Sequence, residues 1–361
     1  MKHIIIAVTN DLTYDQRIHR ICTSLSQHGY TISVIGRCLK NSVSLDHRSW
    51  EQKRIKCLFN KKFLFYGEFN IRLFFYLLFV KTNIFCAVDF DTLPSLTLLA
   101  KMRSKSLVFD AHEYFTEVPE LENRQFVKGF WKMIGKICIP HANAAYTVSD
   151  SIAEILKNEF GQTFSVIRNI PPLDKINKGS TDEARYILYQ GAINKGRGLE
   201  KLVEAMQFID MKLIIAGDGD IRHEISQLVS EKNLTEKIEI TGYILPDKLK
   251  HLTERAFIGY NLLDSTSKSY YYSLSNKFFT YIHAQIPSLS NNFPEYRKII
   301  ETYEVGMLIE LETESIVQAV KLLTTNVNYY KNLKDNCRKA SMHLNWQNEE
   351  KKLIEIYDQL G

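Results

Sequence analysis

Residues 186–206, YILYQGAINKGRGLEKLVEAM, read as a strand, a turn and a helix. YILYQ carries the aromatic and branched apolar residues of a strand, while Leu199, Leu202, Val203 and Met206 recur at the spacing of one helix face. The turn between them, GAINKGRG at 191–198, combines three glycines with two cations. Free backbone N–H groups and the helix dipole face such a turn, and Lys195 and Arg197 add full charges, so a phosphate fits there. A flexible surface turn with solvated cations fits the same residues.

Outward from this unit the pattern repeats. KLIIAG (212–217), IEITG (238–242), FIGYNLL (257–263), IPSLSN (286–291) and VGMLIE (305–310) read as further strands with helices between them, and 313–360 reads as helices alone. On the other side, NIPPLDKINKGSTDEAR (169–185) has prolines, a glycine and no periodicity, as a linker does. Ahead of it lies a second alternation: IIIAV (4–8), TISVIG (31–36), IFCAV (84–88), SLVFD (106–110), AAYTV (144–148) and FSVIR (164–168). Alternating strands and helices form parallel sheets with crossover helices. The expected fold is therefore α/β, with two Rossmann-like doubly wound domains facing a central cleft and a helical C-terminal tail. The expected bounds are 1–172 and 173–340, with a last helix at 341–361 packing back toward the first domain. Open α/β sheets bind ligands at the carboxyl ends of their strands, so functional residues are expected in the turns that follow them.

The 361 residues suffice for two cored domains, and 45% hydrophobic with 24% charged residues excludes a fibrous or disordered chain. The net charge of +5 is uneven: residues 1–172 hold 22 Lys+Arg against 15 Asp+Glu, the remainder 24 against 26. Residues 37–81 alone carry ten basic and three acidic side chains, which suits an anionic partner at one face rather than nucleic acid. The six cysteines have no zinc-like spacing and read as reduced thiols. No secretory leader is visible and the longest apolar run, LFFYLLFV (73–80), is far too short to span a bilayer, so the chain is expected in the cytoplasm.

Three further clusters follow strands. In SLSNKFFTY (273–281), Ser275 or Asn276 can cap a helix whose first turn contains Lys277. A cation there opposes the dipole, which a bound anion would explain, as would a lysine pointing to water. FDAHEYF (109–115) brings Asp110, His112 and Glu113 to a strand end, where the histidine either handles a polar ligand or is structural. DFDTLP (89–94) reads mainly as a helix start. GDGD (217–220) lacks the third glycine of a dinucleotide fingerprint, and no P-loop, HExxH, GxSxG or EF-hand motif occurs. Neither cofactor nor metal is expected.

Taken in order, YQGAINKGRGLEKLVEAM, LIIAGDGD, IEITGYI, SLSNKFFTYIHAQIPSLSNNFPEYRKII and NWQNEEKKLIEIYDQL resemble the retaining glycosyltransferases of the GT-B fold, in particular bacterial members of family GT4. NDLTYDQRIHRICTSLSQHGYTISVIG, DFDTLPSLTLLAKMRSKSLVFDAHEYFTE and YTVSDSIAEIL are similar to acceptor-side segments of that family. The resemblance implies a nucleotide-diphosphate sugar donor held by the second domain, with Gly191, Lys195, Arg197, Ser275, Asn276 and Lys277 at its diphosphate. Tyr272 and Thr280 fall where the family carries the two glutamates of its E-x7-E pattern, and Ala192 where many members have another arginine. His112 matches a strand-end histidine near the transferred sugar and is the implied catalytic residue, with Asp15, Arg17, Asp110 and Glu113 on the acceptor side.

The resulting expectation is a glycosyl transferase (EC 2.4 type) acting on a hydroxyl acceptor, in bacterial cell-surface polysaccharide or glycoconjugate synthesis. A nucleotide-sugar epimerase of the same fold, or an inert sugar-binding homologue, is the alternative. Residues 53–80 interleave cations with aromatic rings, as in FNKKFLFYGEFNIRLFFYLLFV (59–80), which suits peripheral contact with the inner face of a membrane and a lipid-linked acceptor. The same rings packed into the first core, with solvated cations, would look alike in sequence.

Overall fold

The computed structural model describes residues 1–13, 15–118, 121, 124–174 and 185–360. Two compact units emerge, Met1–Arg168 with Glu349–Gly361, and Asn169–Asn348. Each is built on a parallel sheet flanked by helices, two Rossmann-like α/β units with a helical C-terminal tail. Residues 175–184 of the proline- and glycine-bearing linker lie outside the described residues.

In the first unit the strands are β1 (His3–Ala7), β2 (Thr31–Cys38), β3 (Glu51–Lys56), β4 (Ile84–Val88), β5 (Ser106–Ala111), β6 (Ala144–Thr147) and β7 (Ser165–Val166). Their order is β3-β2-β1-β4-β5-β6-β7. β1 and β4 are buried along almost their whole length, as apolar strands covered by helices on both faces must be. The order reverses beside β1, which pairs in parallel with both β2 and β4. Such a reversal opens a crevice at the strands' carboxyl ends.

β3 is absent from the sequence reading. EQKRIK was counted there among the cations, because its charges hide any alternation of apolar residues. It pairs with β2 in register Ser33↔Glu51 to Cys38↔Lys56 and forms the sheet edge, where lysines protect unpaired backbone from other chains. Arg54 on this edge is tied internally, donating from Nε to the Asp11 carbonyl at 2.6 Å and from Nη2 to Thr13 Oγ1 at 2.7 Å. Arg37 lies over the Phe65 ring at 4.4 Å and Arg72 pairs with Glu68 at 2.7 Å. Several cations of the 37–81 cluster thus serve the unit itself.

The second unit's strands are β8 (Tyr186–Gln190), β9 (Lys212–Ala216), β10 (Ile238–Gly242), β11 (Ile258–Asn261), β12 (Ser288–Asn291) and β13 (Gly306–Ile309), in the order β10-β9-β8-β11-β12-β13. The reversal lies beside β8, so the Gly191–Gly198 turn begins at the crevice. Leu199, Leu202, Val203 and Met206 are all buried in this unit's core.

The helix Trp346–Asp358 ends within the first unit. There Tyr30 donates to Asp358 at 2.6 Å, the Tyr357 and Tyr146 hydroxyls meet at 3.4 Å, and Glu349 accepts from the Arg168 backbone at 2.9 Å. All six cysteines are free thiols.

Candidate functional site

In the second unit two turns support one another. The Gly191 N–H donates to the Ala216 carbonyl at 3.0 Å and Ile193 N–H to the Asp218 carbonyl at 3.0 Å, so the turns after β8 and β9 lie back to back. A Cβ at Gly217 would collide with the Gly191 carbonyl, and one at Gly219 with Ile193 and Asn194. The glycines of GDGD therefore permit this backbone approach. Gly196, at φ +81, leaves no room for a side chain against Tyr270.

Arg197 rises from this turn over the Tyr270 ring at 4.9 Å, whereas Lys195 is exposed. Lys277 reaches the same end of the sheet from the helix Asn276–His283, its Nζ 4.1 Å from the centre of the Tyr189 ring. Desolvation, with the charge of Arg197 added, pushes the Lys277 pKa well below that of an ordinary lysine. Among the described residues neither cation has an ion-pair partner, and Arg197 Nε is buried without an acceptor. A pair of confined like charges without a carboxylate is a site for an anion.

The helix start adds to it. Ser275 occupies the N-cap position but does not cap: its hydroxyl donates to Asn261 Oδ1 at 2.6 Å, and its N–H to the Tyr296 hydroxyl at 3.1 Å. The N–H groups of the first turn are thus left without a side-chain cap, and Asn276 is exposed beside them. Thr280, one turn on, donates back to the Asn276 carbonyl at 3.1 Å. Tyr272 packs edge-on against Tyr271 at 5.0 Å, apart from any carboxylate role.

In the first unit the carboxyl ends of β1, β4 and β5 gather a charged group. Asp110, fully buried, accepts from Arg17 Nη2 at 2.9 Å and faces His112 Nε2 at 3.1 Å. Burial would raise the Asp110 pKa, but Arg17 and His112 override it and hold it at about 2. Desolvation would likewise lower His112, yet Asp110 and Asp89 raise it to about 9, so the ring is an imidazolium at neutral pH. Arg17 is locked, donating also to the Ile167 carbonyl at 3.1 Å, and Asp15 is spent as the N-cap of Gln16–Gln27, accepting from Ile18 N–H at 2.9 Å. Glu113 is exposed next to this group.

The sequence reading missed Asp89 and Asp91 by treating DFDTLP as a helix start. It is one, beginning the helix Asp89–Arg103, but Asp89 adopts φ +57, accepts from His112 N–H at 2.9 Å and places Oδ2 3.7 Å from His112 Nδ1. Burial pushes the Asp89 pKa up to about 7 and that of Asp91 to about 6. Asp91 accepts from Thr9 Oγ1 at 2.6 Å, and its other oxygen is buried without a partner. Two aspartates directly after an apolar strand, in a turn on the reversal side, were the available signal. Among the described residues no group of three or more His, Cys, Asp or Glu could hold a metal ion.

Against this geometry, the second unit finds its counterpart among known families. Residues 173–340 match the family Glycosyl transferases group 1. This group 1 region contains Gly191, Lys195, Arg197, Tyr272, Ser275, Asn276, Lys277 and Thr280, while Asp15, Arg17, Asp110, His112 and Glu113 lie before it. The chain is 22% identical over 203 residues to the N-acetylgalactosamine-N,N'-diacetylbacillosaminyl-diphospho-undecaprenol 4-alpha-N-acetylgalactosaminyltransferase of Campylobacter jejuni, covering 54% of this chain and 50% of that protein. It spans half or less of the length of the curated relatives it matches. Among solved structures, sucrose-phosphate synthase from Thermosynechococcus elongatus superposes with a TM-score of 0.81 at 16% identity, covering 100% of this chain and 99% of that one. HepE of Anabaena in complex with UDP-glucose gives 0.77 at 9% identity, covering 99% and 100%. The group 1 match and this fold support a GT-B glycosyltransferase.

Proposed function

We propose that the protein transfers a sugar from a nucleotide-diphosphate donor to a hydroxyl, with retention at the anomeric carbon. The observation that carries this reading is the pair Arg197 and Lys277, two confined cations without a counter-ion among the described residues, at the crevice end of β8. Breaking a glycosidic bond to a diphosphate separates a sugar cation from a departing anion, so positive charge already in place under that anion lowers the barrier most. Arg197, Lys277 and the uncapped N–H groups at Asn276 supply such charge, with Gly191 and Ser275 in the turns beside them and Lys195 exposed nearby. The HepE complex with UDP-glucose supports a uridine nucleotide as the donor carrier.

His112 is proposed to bind the transferred sugar. Its Nε2 is engaged by Asp110, which Arg17 holds in turn, while Nδ1, 3.7 Å from Asp89 Oδ2 and beyond hydrogen-bond distance, is the donor left for the sugar. Thr280 and Tyr272 leave the ribose without the family's carboxylates, and the proposed ribose contacts are their hydroxyls.

The Campylobacter relative is named for transfer onto a diphospho-undecaprenol-linked sugar, which supports a lipid-linked acceptor and a place in bacterial cell-surface glycoconjugate synthesis. Contact with the inner face of a membrane fits the rings that residues 59–80 leave exposed: Phe75 and Phe79 are 66% and 87% accessible. Phe65, Phe69, Leu73 and Leu77 of the same segment are core residues, as the packing alternative expects of part of it.

The test is turnover with a panel of nucleotide sugars and a bacterial lipid extract as acceptor source. Release of nucleoside diphosphate that depends on the extract supports transfer. Binding of UDP without release from any donor contradicts it.

A further inference from the structure

The helices Lys62–Leu77 and Gln125–Cys138 of the first unit carry apolar side chains on their solvent faces at identical spacing. Leu64, Ile71 and Phe75 stand exposed on one, and Phe126, Met133 and Ile137 on the other, each at i, i+7 and i+11. Both faces are helical stripes of the kind that normally pack into a core. Phe63 links them, its ring 6.4 Å from Phe126 and 5.0 Å from Phe130.

Between the helices opens a groove of about 550 Å³, within the range of small-molecule sites, lined by Phe63, Tyr66, Phe115, Val127, Trp131 and Arg124 among others. Its floor is a web of rings: Trp131 meets Tyr66 edge-on at 5.2 Å and Phe115 at 5.4 Å. Among the described residues Arg124 is the charged one lining the groove, exposed and without an ion-pair partner there. Lys61 and Lys136 are exposed on the same two segments.

An apolar slot with a cation at its lining, flanked by two exposed apolar stripes, fits an amphiphile whose chain enters the slot and whose anionic head meets the cation. We propose that this groove holds one hydrocarbon chain of an anionic membrane lipid, with the lipid phosphate at Arg124 and the two stripes resting in the bilayer interface. The site is built from first-unit residues alone, and it deepens the membrane contact proposed above, on which it rests. It gives that contact a chemical specificity: phosphate-bearing chains are held individually.

The test uses the full chain and vesicles of phosphatidylglycerol brominated along the acyl chain, at low salt. Trp131 lies in the groove wall, so its emission is expected to be quenched, and Trp131→Phe is expected to lose that quenching while still pelleting with the vesicles. Val127→Phe, which fills the groove, is expected to remove most of the quenching, and Arg124→Ala to weaken pelleting about fivefold, as loss of one basic residue at an anionic surface does. Pelleting without quenching of Trp131 overturns the groove while leaving the membrane contact standing. Absence of pelleting overturns both, and neither result touches donor binding, which UDP titration of the same sample reads separately.

Discussion

Burial, with the guanidinium of Arg197 adding to it, holds the Lys277 ammonium well below its ordinary pKa, although the two reach the crevice from turns some eighty residues apart in the chain. Proteins rarely confine like charges without a counter-ion, because each raises the cost of charging the other. The arrangement is explained by an anion that arrives from outside. A diphosphate would reverse the sign of the local field, which has measurable consequences.

Binding of UDP is expected to take up protons. An anion beside Lys277 raises its depressed pKa, so the complex holds more protons than the free protein and affinity falls as pH rises through that depressed value. Calorimetric titrations in two buffers of different ionisation enthalpy measure the uptake. A binding heat independent of buffer would contradict the role given to Lys277.

Lys277→Met is expected to stabilise the empty protein while removing its response to UDP. The substitution replaces a desolvated, repelled cation with an apolar chain of similar length, a gain of about 1 kcal/mol or more. Thermal unfolding with and without UDP reads both effects at once. A variant less stable than the parent yet still stabilised by UDP would show that Lys277 serves the framework.

Around His112 the pH dependence of stability has two arms, on either side of the decline that the raised Asp89 and Asp91 impose as pH rises from about 4 to 7 and they ionise. Asp110, held at about 2, contributes stability above the usual carboxylate value, and this is lost as pH falls from about 4 to 2. His112, raised to about 9, contributes stability fully present below its usual value near 6.5 and lost as pH rises through about 9. The second contribution is worth about 3 kcal/mol. Thermal unfolding of His112→Gln against pH is expected to lose this alkaline decline, and Asp89→Asn to shift it toward lower pH. An unchanged alkaline arm in both variants would mean that the imidazolium is not held as described.

Turnover is expected to persist in excess EDTA, since Arg197 and Lys277 stand where a metal ion would otherwise neutralise the diphosphate. Loss of activity in chelator, restored by magnesium, would assign that charge to a metal instead.

The sheets were legible in the sequence because most strands are short buried apolar runs such as IFCAV and YILYQ, which no solvent-facing element would carry. β3 was not, because an edge strand protected by Lys53, Arg54 and Lys56 has the composition of a surface loop. At the site, a cation in a helix's first turn singles out Lys277, but Ser275 turns away from the cap to Asn261, a partner fourteen residues distant. Asp89 was missed for a related reason. Its role depends on a left-handed backbone and on His112 just past the end of the neighbouring strand, and residue order alone encodes neither.

The most direct measurement is the affinity of UDP for Arg197→Ala beside the parent protein, with turnover of the same samples. Removing one preorganised charge under a departing diphosphate is expected to cost about two orders of magnitude in turnover, with weaker UDP binding and a preserved fold, since among the described residues no ion-pair partner is orphaned by its loss. Parental affinity and turnover in Arg197→Ala would contradict the account at its centre.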